Sequence, residues 1–163
     1  MAVIVRKLIE TDAQAFRILR LSALQSQPDA FVSAWEEEVD RPLSWFADIL
    51  RDEYVVGAQI DGILIGTAAL HRGDRLKTRH RATLWSMYVV PTARHRGVGA
   101  TLVREVIGEA RGTVEELHLS VGANNDAALK LYETLGFVRF GLDTRALKIS
   151  NQYVDVVMMR LAL

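Results

Sequence analysis

The chain has no cysteine, and that alone excludes a disulfide framework, a zinc-thiolate centre and a cysteine nucleophile. It has no excess of either charge, with 20 Lys and Arg against 20 Asp and Glu. A partner selected by bulk electrostatics, such as a long nucleic acid or an anionic membrane, is therefore not expected. A small ligand held by a local charge site suits this balance better. No run of about eighteen apolar residues is present, so no membrane-spanning helix is expected. The opening M-A-V-I-V-R-K-L-I-E has no cationic segment ahead of its apolar run and no small-residue cleavage site, which argues against an export signal. A cytoplasmic location fits these absences.

What is present is ordinary for a globular protein: 50% of the 163 residues are apolar and 25% are charged. That length suits one core, and a single domain over residues 1–163 is expected. Val3 to Val5 make a β-rich start, and Thr11 to Gln14 have the spacing of a capping box ahead of a helix. In that helix Phe16, Leu19 and Ala23 recur at helical spacing with Ala15 and Ile18 alongside, predicting one core-facing stripe that Pro28 terminates. An irregular acidic segment follows (Glu36, Glu37, Glu38, Asp40), then a short helix from Pro42 or Leu43 to Leu50. From Tyr54 the pattern becomes β-like, and Asp61-Gly62 between two such runs predicts a tight hairpin, whose central residues need positive φ.

A polar loop leads to a fourth strand, Ala82 to Val90, and helical spacing returns at Val98, Leu102, Val103, Val106, Ile107 and Ala110, with Gly112 as a stop. A fifth strand, Val114 to Val121, puts Leu117, Leu119 and Val121 on one side and His118 and Ser120 on the other. Then come a helix from Asn125 to Leu135, a stop at Gly136, and two strands, Phe137 to about Ile149 and Tyr153 to Leu161. The apolar last strand suits either the core or the edge of a homodimer.

The most informative stretch is Trp85 to Gly99, W-S-M-Y-V-V-P-T-A-R-H-R-G-V-G. A strand ends at Pro91, a polar turn follows, and R-x-x-G-x-G (Arg94, Gly97, Gly99) opens a helix. The first N–H groups of a helix lack intrahelical partners, and with the helix dipole they favour a phosphate. Glycine lets the backbone come close to such a ligand, and Arg94, His95 and Arg96 add positive charge. On the glycines alone an ordinary αβ connection remains open, because a lone Gly-rich motif is weak.

A second motif narrows the choice. Together with N-D-A-A-L-K-L-Y-E-T-L-G-F at Asn125 to Phe137, the stretch resembles the GCN5-related N-acetyltransferase (GNAT) superfamily. The resemblance is specific from about Leu84 to Phe137 and covers nearly the whole chain in the order of elements. It implies an α/β fold: a mixed sheet of about seven strands with four helices, splayed between strands four and five, with acetyl-CoA in the gap. It also implies that Met87, Tyr88 and Val89 offer backbone groups to the pantetheine arm. Arg94, His95, Arg96, Gly97, Val98, Gly99, Ala100 and Thr101 would cradle the pyrophosphate. Asn125 would hydrogen-bond the cofactor, Tyr132 would lie near its sulfur, and Lys130 is a further phosphate partner. The implied activity is direct transfer of an acetyl group to an amine of a small molecule, peptide or protein, with no metal.

The chemistry of those residue types agrees. Amine attack on a thioester develops an oxyanion and expels a thiolate, so the site needs aimed donors and an acid. The Val89 N–H suits the first role, and Tyr132, with an ordinary phenol pKa near 10, suits the second. The base is less clear. Members that acetylate protein amino termini commonly carry a glutamate where this chain has Ser120, whose hydroxyl can hold a water but is no base. His118, Glu36, Glu37, Glu38 and Asp40 remain as candidates. An amine of pKa about 10.4 is only about 0.1% neutral at pH 7.4, whereas one of about 7.8 is roughly one-quarter neutral. A weak base therefore favours a low-pKa acceptor.

The basic segment Arg72, Arg75, Lys77, Arg79 and Arg81 suits either the cofactor's 3′-phosphate, an anionic acceptor or a solvated hairpin loop. Two other functions are weighed against the enzyme. A non-catalytic acyl-CoA sensor or scaffold is favoured by the missing glutamate and opposed by Tyr132. A Rossmann-type nucleotide domain needs G-x-G-x-x-G and a later acidic residue, and here only G-x-G is present.

Overall fold

In the computed structural model, which describes residues 2–163, seven strands form one mixed sheet in the order β1-β2-β3-β4-β5-β7-β6. The strands are β1 (Ile4–Lys7), β2 (Tyr54–Ile60), β3 (Ile63–Arg72), β4 (Arg81–Val89), β5 (Glu116–Gly122), β6 (Val138–Ile149) and β7 (Gln152–Ala162). The helices are α1 (Ala13–Ser26), α2 (Trp35–Glu38), α3 (Leu43–Asp52), α4 (Val98–Ala110) and α5 (Asp126–Thr134). The mixed α/β fold matches expectation, with one helix more than the four expected: the single turn α2 forms within the acidic segment. The Asp61-Gly62 hairpin forms as expected, with φ of 49° and 79°.

The sheet separates two apolar layers. On one face Phe16 and Leu19 of α1 and Phe46 and Leu50 of α3 pack on Val55 and Ala69. On the other, Leu102, Val103 and Val106 of α4 and Leu129 and Tyr132 of α5 pack on Ala68, Leu117, Leu119 and Met159. The stripe expected on α1 needs correction, because Ile18 is 61% exposed while Arg20 is buried. Which flank of an amphipathic helix is covered depends on what lies across from it. Nor does the capping box form: α1 begins at Ala13 without a side-chain cap. The Asp12 carboxylate instead accepts from the Ile9 N–H (2.8 Å) and from both terminal nitrogens of Arg6.

Two features of the sheet position the site. β4 and β5 run parallel and pair only at Arg81 to Thr83 with Glu116 to His118, after which they diverge. β5 stays paired with β7 along its length, and β4 stays with β3 across a bulge between Thr67 and Ala69. In that bulge Ser86 adopts φ 51°, a conformation disfavoured for a residue with a Cβ. The result is the splay expected between strands four and five. Because β7 is paired on both sides, it is interior, which overturns its expected alternative as a dimer edge.

Candidate active site

The gap between the diverging strands is a cleft of about 570 Å³. One wall is β4 from Thr83 to Val89, the other is β5 from Leu119 to Gly122 with Asn125 and Tyr132; the 94–100 turn and the α1–α2 segment lie at its ends. Val90 N–H bonds to Ile65 O on β3 at 2.9 Å. Strand alternation then turns the Val89 amide and carbonyl to the cleft edge, where the carbonyl accepts from Arg94 Nε at 2.9 Å. Along this edge no strand pairs beyond Thr83, so a ligand can take the place of the missing strand.

The turn into α4 exposes a run of backbone N–H groups. Gly97, the N-cap, has φ 77°, and His95 has φ 60°. Among the described residues the amides of 95 to 100 find no acceptor, and Thr101 N–H is the first to do so, at Gly97 O. Gly99 faces the cleft closely enough that a Cβ there would come within 3.1 Å of Met87 Cε. The Arg94 guanidinium is held over the Tyr88 ring at 5.7 Å and meets Gln27 Oε1 at 2.7 and 3.0 Å when that amide is oriented to satisfy both groups. The cradle thus consists chiefly of backbone N–H groups.

On the opposite wall, Asn125 caps α5: its Oδ1 accepts from Ala128 N–H at 3.1 Å. We expect Asn125→Ala to cost about 1 kcal/mol, read as a fall of about 2–4 °C in Tm. Tyr132 is buried, its ring edge-on to Phe137 at 5.7 Å. Its hydroxyl has no hydrogen-bond partner among the described residues, and burial pushes the phenol well above its ordinary pKa.

Other expected site residues lie apart. Ser120 lines the cleft. His118, although on the same face of β5, does not line it: Nε2 lies 2.7 Å from Glu116, whose carboxyl this bond holds below its usual range, and the ring packs on Phe140. Arg96, Thr101 and Lys130 are exposed and outside the lining. The acidic segment contributes no open carboxylate to the cleft. Glu36 and Asp40 are exposed away from it, Glu37 caps Ala34 N–H, and Glu38 is buried against Arg20. The basic segment sits at the amino end of β4, about 26 Å of strand from the anion turn at 3.3 Å per residue. There Arg72 is tied to Glu109 and Thr113. Of the three readings offered for this segment, the exposed loop and its place at the far end of the strand from the cleft agree with the solvated hairpin loop. Sequence inspection missed Arg20, which lines the cleft; the available signal was a charged residue within the apolar stripe of α1.

The profile of the acetyltransferase (GNAT) family matches residues 20–137. The chain belongs to the GNAT acetyltransferase family. Among GNAT proteins it is 37% identical over 107 residues to the N-alpha-acetyltransferase RimI of Mycobacterium tuberculosis, an alignment spanning 66% of this chain and 65% of that protein. It is 31% identical over 108 residues to human N-alpha-acetyltransferase 30, spanning 66% of this chain and 28% of that longer protein. The GNAT fold extends over nearly all of the chain. The acetyltransferase of the GNAT family from Streptococcus pneumoniae superimposes with a TM-score of 0.90 at 21% identity, covering 99% of this chain and 100% of the other. The yncA protein of Salmonella typhimurium, solved with acetyl-CoA, does so at 0.83 and 20% identity, covering 100% and 95%.

Proposed function

We propose that this chain is an acetyl-CoA-dependent N-acetyltransferase acting on low-pKa α-amino groups. The observation that carries the proposal is one cleft joining the unpartnered backbone amides of the 95–100 turn to the Tyr132 side chain, whose hydroxyl has no partner among the described residues. The amides of 95–100 suit a pyrophosphate, the free edge of β4 suits an extended amide-bearing arm, and the Val89 N–H suits the carbonyl oxygen of a thioester. Bound acetyl-CoA supplies an activated acetyl group. Tyr132 holds a proton at Oη for the departing sulfur.

The acceptor follows from what the cleft wall lacks. No Asp or Glu lines it, and His95 is its only histidine, exposed at the anion turn. Without a strong base, an α-amine that is already partly neutral at pH 7.4 is the better nucleophile. The named activity of RimI, an N-alpha-acetyltransferase, supports the same choice. The test is a screen of peptides with free amino termini, amino acids, polyamines and aminoglycosides, reading free CoA. We expect release with α-amines; a preference for polyamine or lysine side chains would overturn the acceptor class. Thermal stabilisation by acetyl-CoA with no turnover on any amine would overturn the enzyme and leave a binding module.

A further inference from the structure

Arg20 is a buried charge that none of the roles above uses. It is 6% exposed, yet it lines the cleft. Its Nε and Nη2 donate to the two oxygens of Glu38, both at 2.6 Å, and Nη1 donates to Ser86 Oγ at 2.9 Å. A guanidinium has five N–H groups, so two remain without an acceptor among the described residues. The indole of Trp85 lies under the guanidinium, 5.4 Å from ring centroid to Cζ, and its own buried Nε1 also lacks an acceptor. This part of the wall, beside the β4 bulge, therefore presents the spare donors of a guanidinium. Its formal charge is already cancelled by Glu38.

We propose that Arg20 binds the acceptor: its two free N–H groups donate to the carbonyl oxygen of the residue whose α-amine is acetylated. This rests on the N-acetyltransferase activity proposed above and narrows its substrate class. A neutral carbonyl completes the guanidinium without adding charge. A free carboxylate would instead bring a second anion beside Glu38 with no second cation, which burial penalises. The acceptor class is therefore an α-amino amide, as at a peptide amino terminus, in preference to a free amino acid or an alkylamine.

The experiment compares kcat/KM for L-alaninamide, L-alanine and 3-methylbutan-2-amine, the last having nearly the same shape without the carbonyl. Each is measured with the wild type and with the Arg20→Met/Glu38→Met double variant, which removes both charges together so that neither is left buried alone. Ratios between amines are compared across variants, so the different amine pKa values cancel. The wild type is expected to favour the amide over both others. In the double variant the amide-to-alkylamine ratio is expected to fall about tenfold to a hundredfold, with acetyl-CoA affinity retained. Arg20→Lys supplies a second variant should the first fail to fold. It keeps the charge on Glu38 but loses the planar fork, and the same ratio is expected to fall.

Turnover with an unchanged ratio in a folded variant, or a wild type that prefers alanine or the alkylamine, would overturn the role of Arg20 alone. Absence of thiol release from the wild type on these amines and on the wider panel would overturn both this role and the proposed activity.

Discussion

Tyr132→Phe is expected to lower kcat by about a hundredfold to ten-thousandfold, the range for removing a positioned general acid, with the affinity for acetyl-CoA little changed. The ring is retained, so its packing on Phe137 and the α5 core persists. The hydroxyl is bonded to no described residue, so its loss strands no partner and the fold is expected to be as stable as before. Replacement from within the cleft is not available: the other phenol there, Tyr88, directs its hydroxyl to Ser26 at 3.5 Å. Burial raises the phenol above its ordinary value, which keeps the proton on Oη as a donor at neutral and moderately alkaline pH. An alkaline limb below about pH 10 would therefore have to come from another group.

The same shift has a sign for stability. Below about pH 10 the phenol is protonated in both folded and unfolded chains and the term is fully present. Above that, the unfolded phenol loses a proton that the buried one keeps, and stability declines. Steady-state kinetics of thiol release, with calorimetric titration of CoA, separate the outcomes; unchanged kcat would remove the proton-donor role.

Glu38→Ala is expected to destabilise the protein by about 3–5 kcal/mol, the range for breaking a buried pair from one side, equivalent to a Tm lower by about 6–20 °C at this size. Both side chains are 5% exposed, and the variant leaves the Arg20 guanidinium with the Ser86 hydroxyl as its sole hydrogen-bond acceptor among the described residues. The exposed pair of Arg51 with Asp48, also short at 2.8 Å, provides the contrast. Its removal is expected to leave the melting temperature almost unchanged, because solvent screens it and ordering two surface side chains offsets the attraction. The Arg20→Met/Glu38→Met double variant is expected to melt close to the wild type, since two apolar side chains need no pairing. A Glu38→Ala protein that melts like the wild type would show that the pair is not the tie between α2 and the β4 bulge. Thermal denaturation followed by circular dichroism reads all three variants.

Local signals made much of the fold and of the cofactor side legible. The Asp61-Gly62 hairpin, the Arg94 to Gly99 turn and the start of α5 at Asn125 each depend on residues adjacent in the chain, so they can be read where they are written. Tyr132 falls on the apolar face of α5, and its spacing from Asn125 carries it to the cleft. Illegible parts depend on distant partners. Arg20 and Glu38 are eighteen residues apart, and Ser86 lies 66 residues beyond Arg20; nothing local joins them. His118 shares a strand face with Ser120 yet turns to Glu116 and Phe140, a choice set by β6.

By itself, then, the sequence determined the order of the elements, the hairpin, the glycine turn into α4 and the family resemblance, since each follows from backbone propensity and spacing within a few residues. Only the tertiary structure decided the wall that carries Arg20. Whether a charge is solvated, paired in the core or aimed into a cleft depends on which surfaces meet, and Arg20, Glu38 and Ser86 meet only once α1, α2 and the bulged strand have packed together.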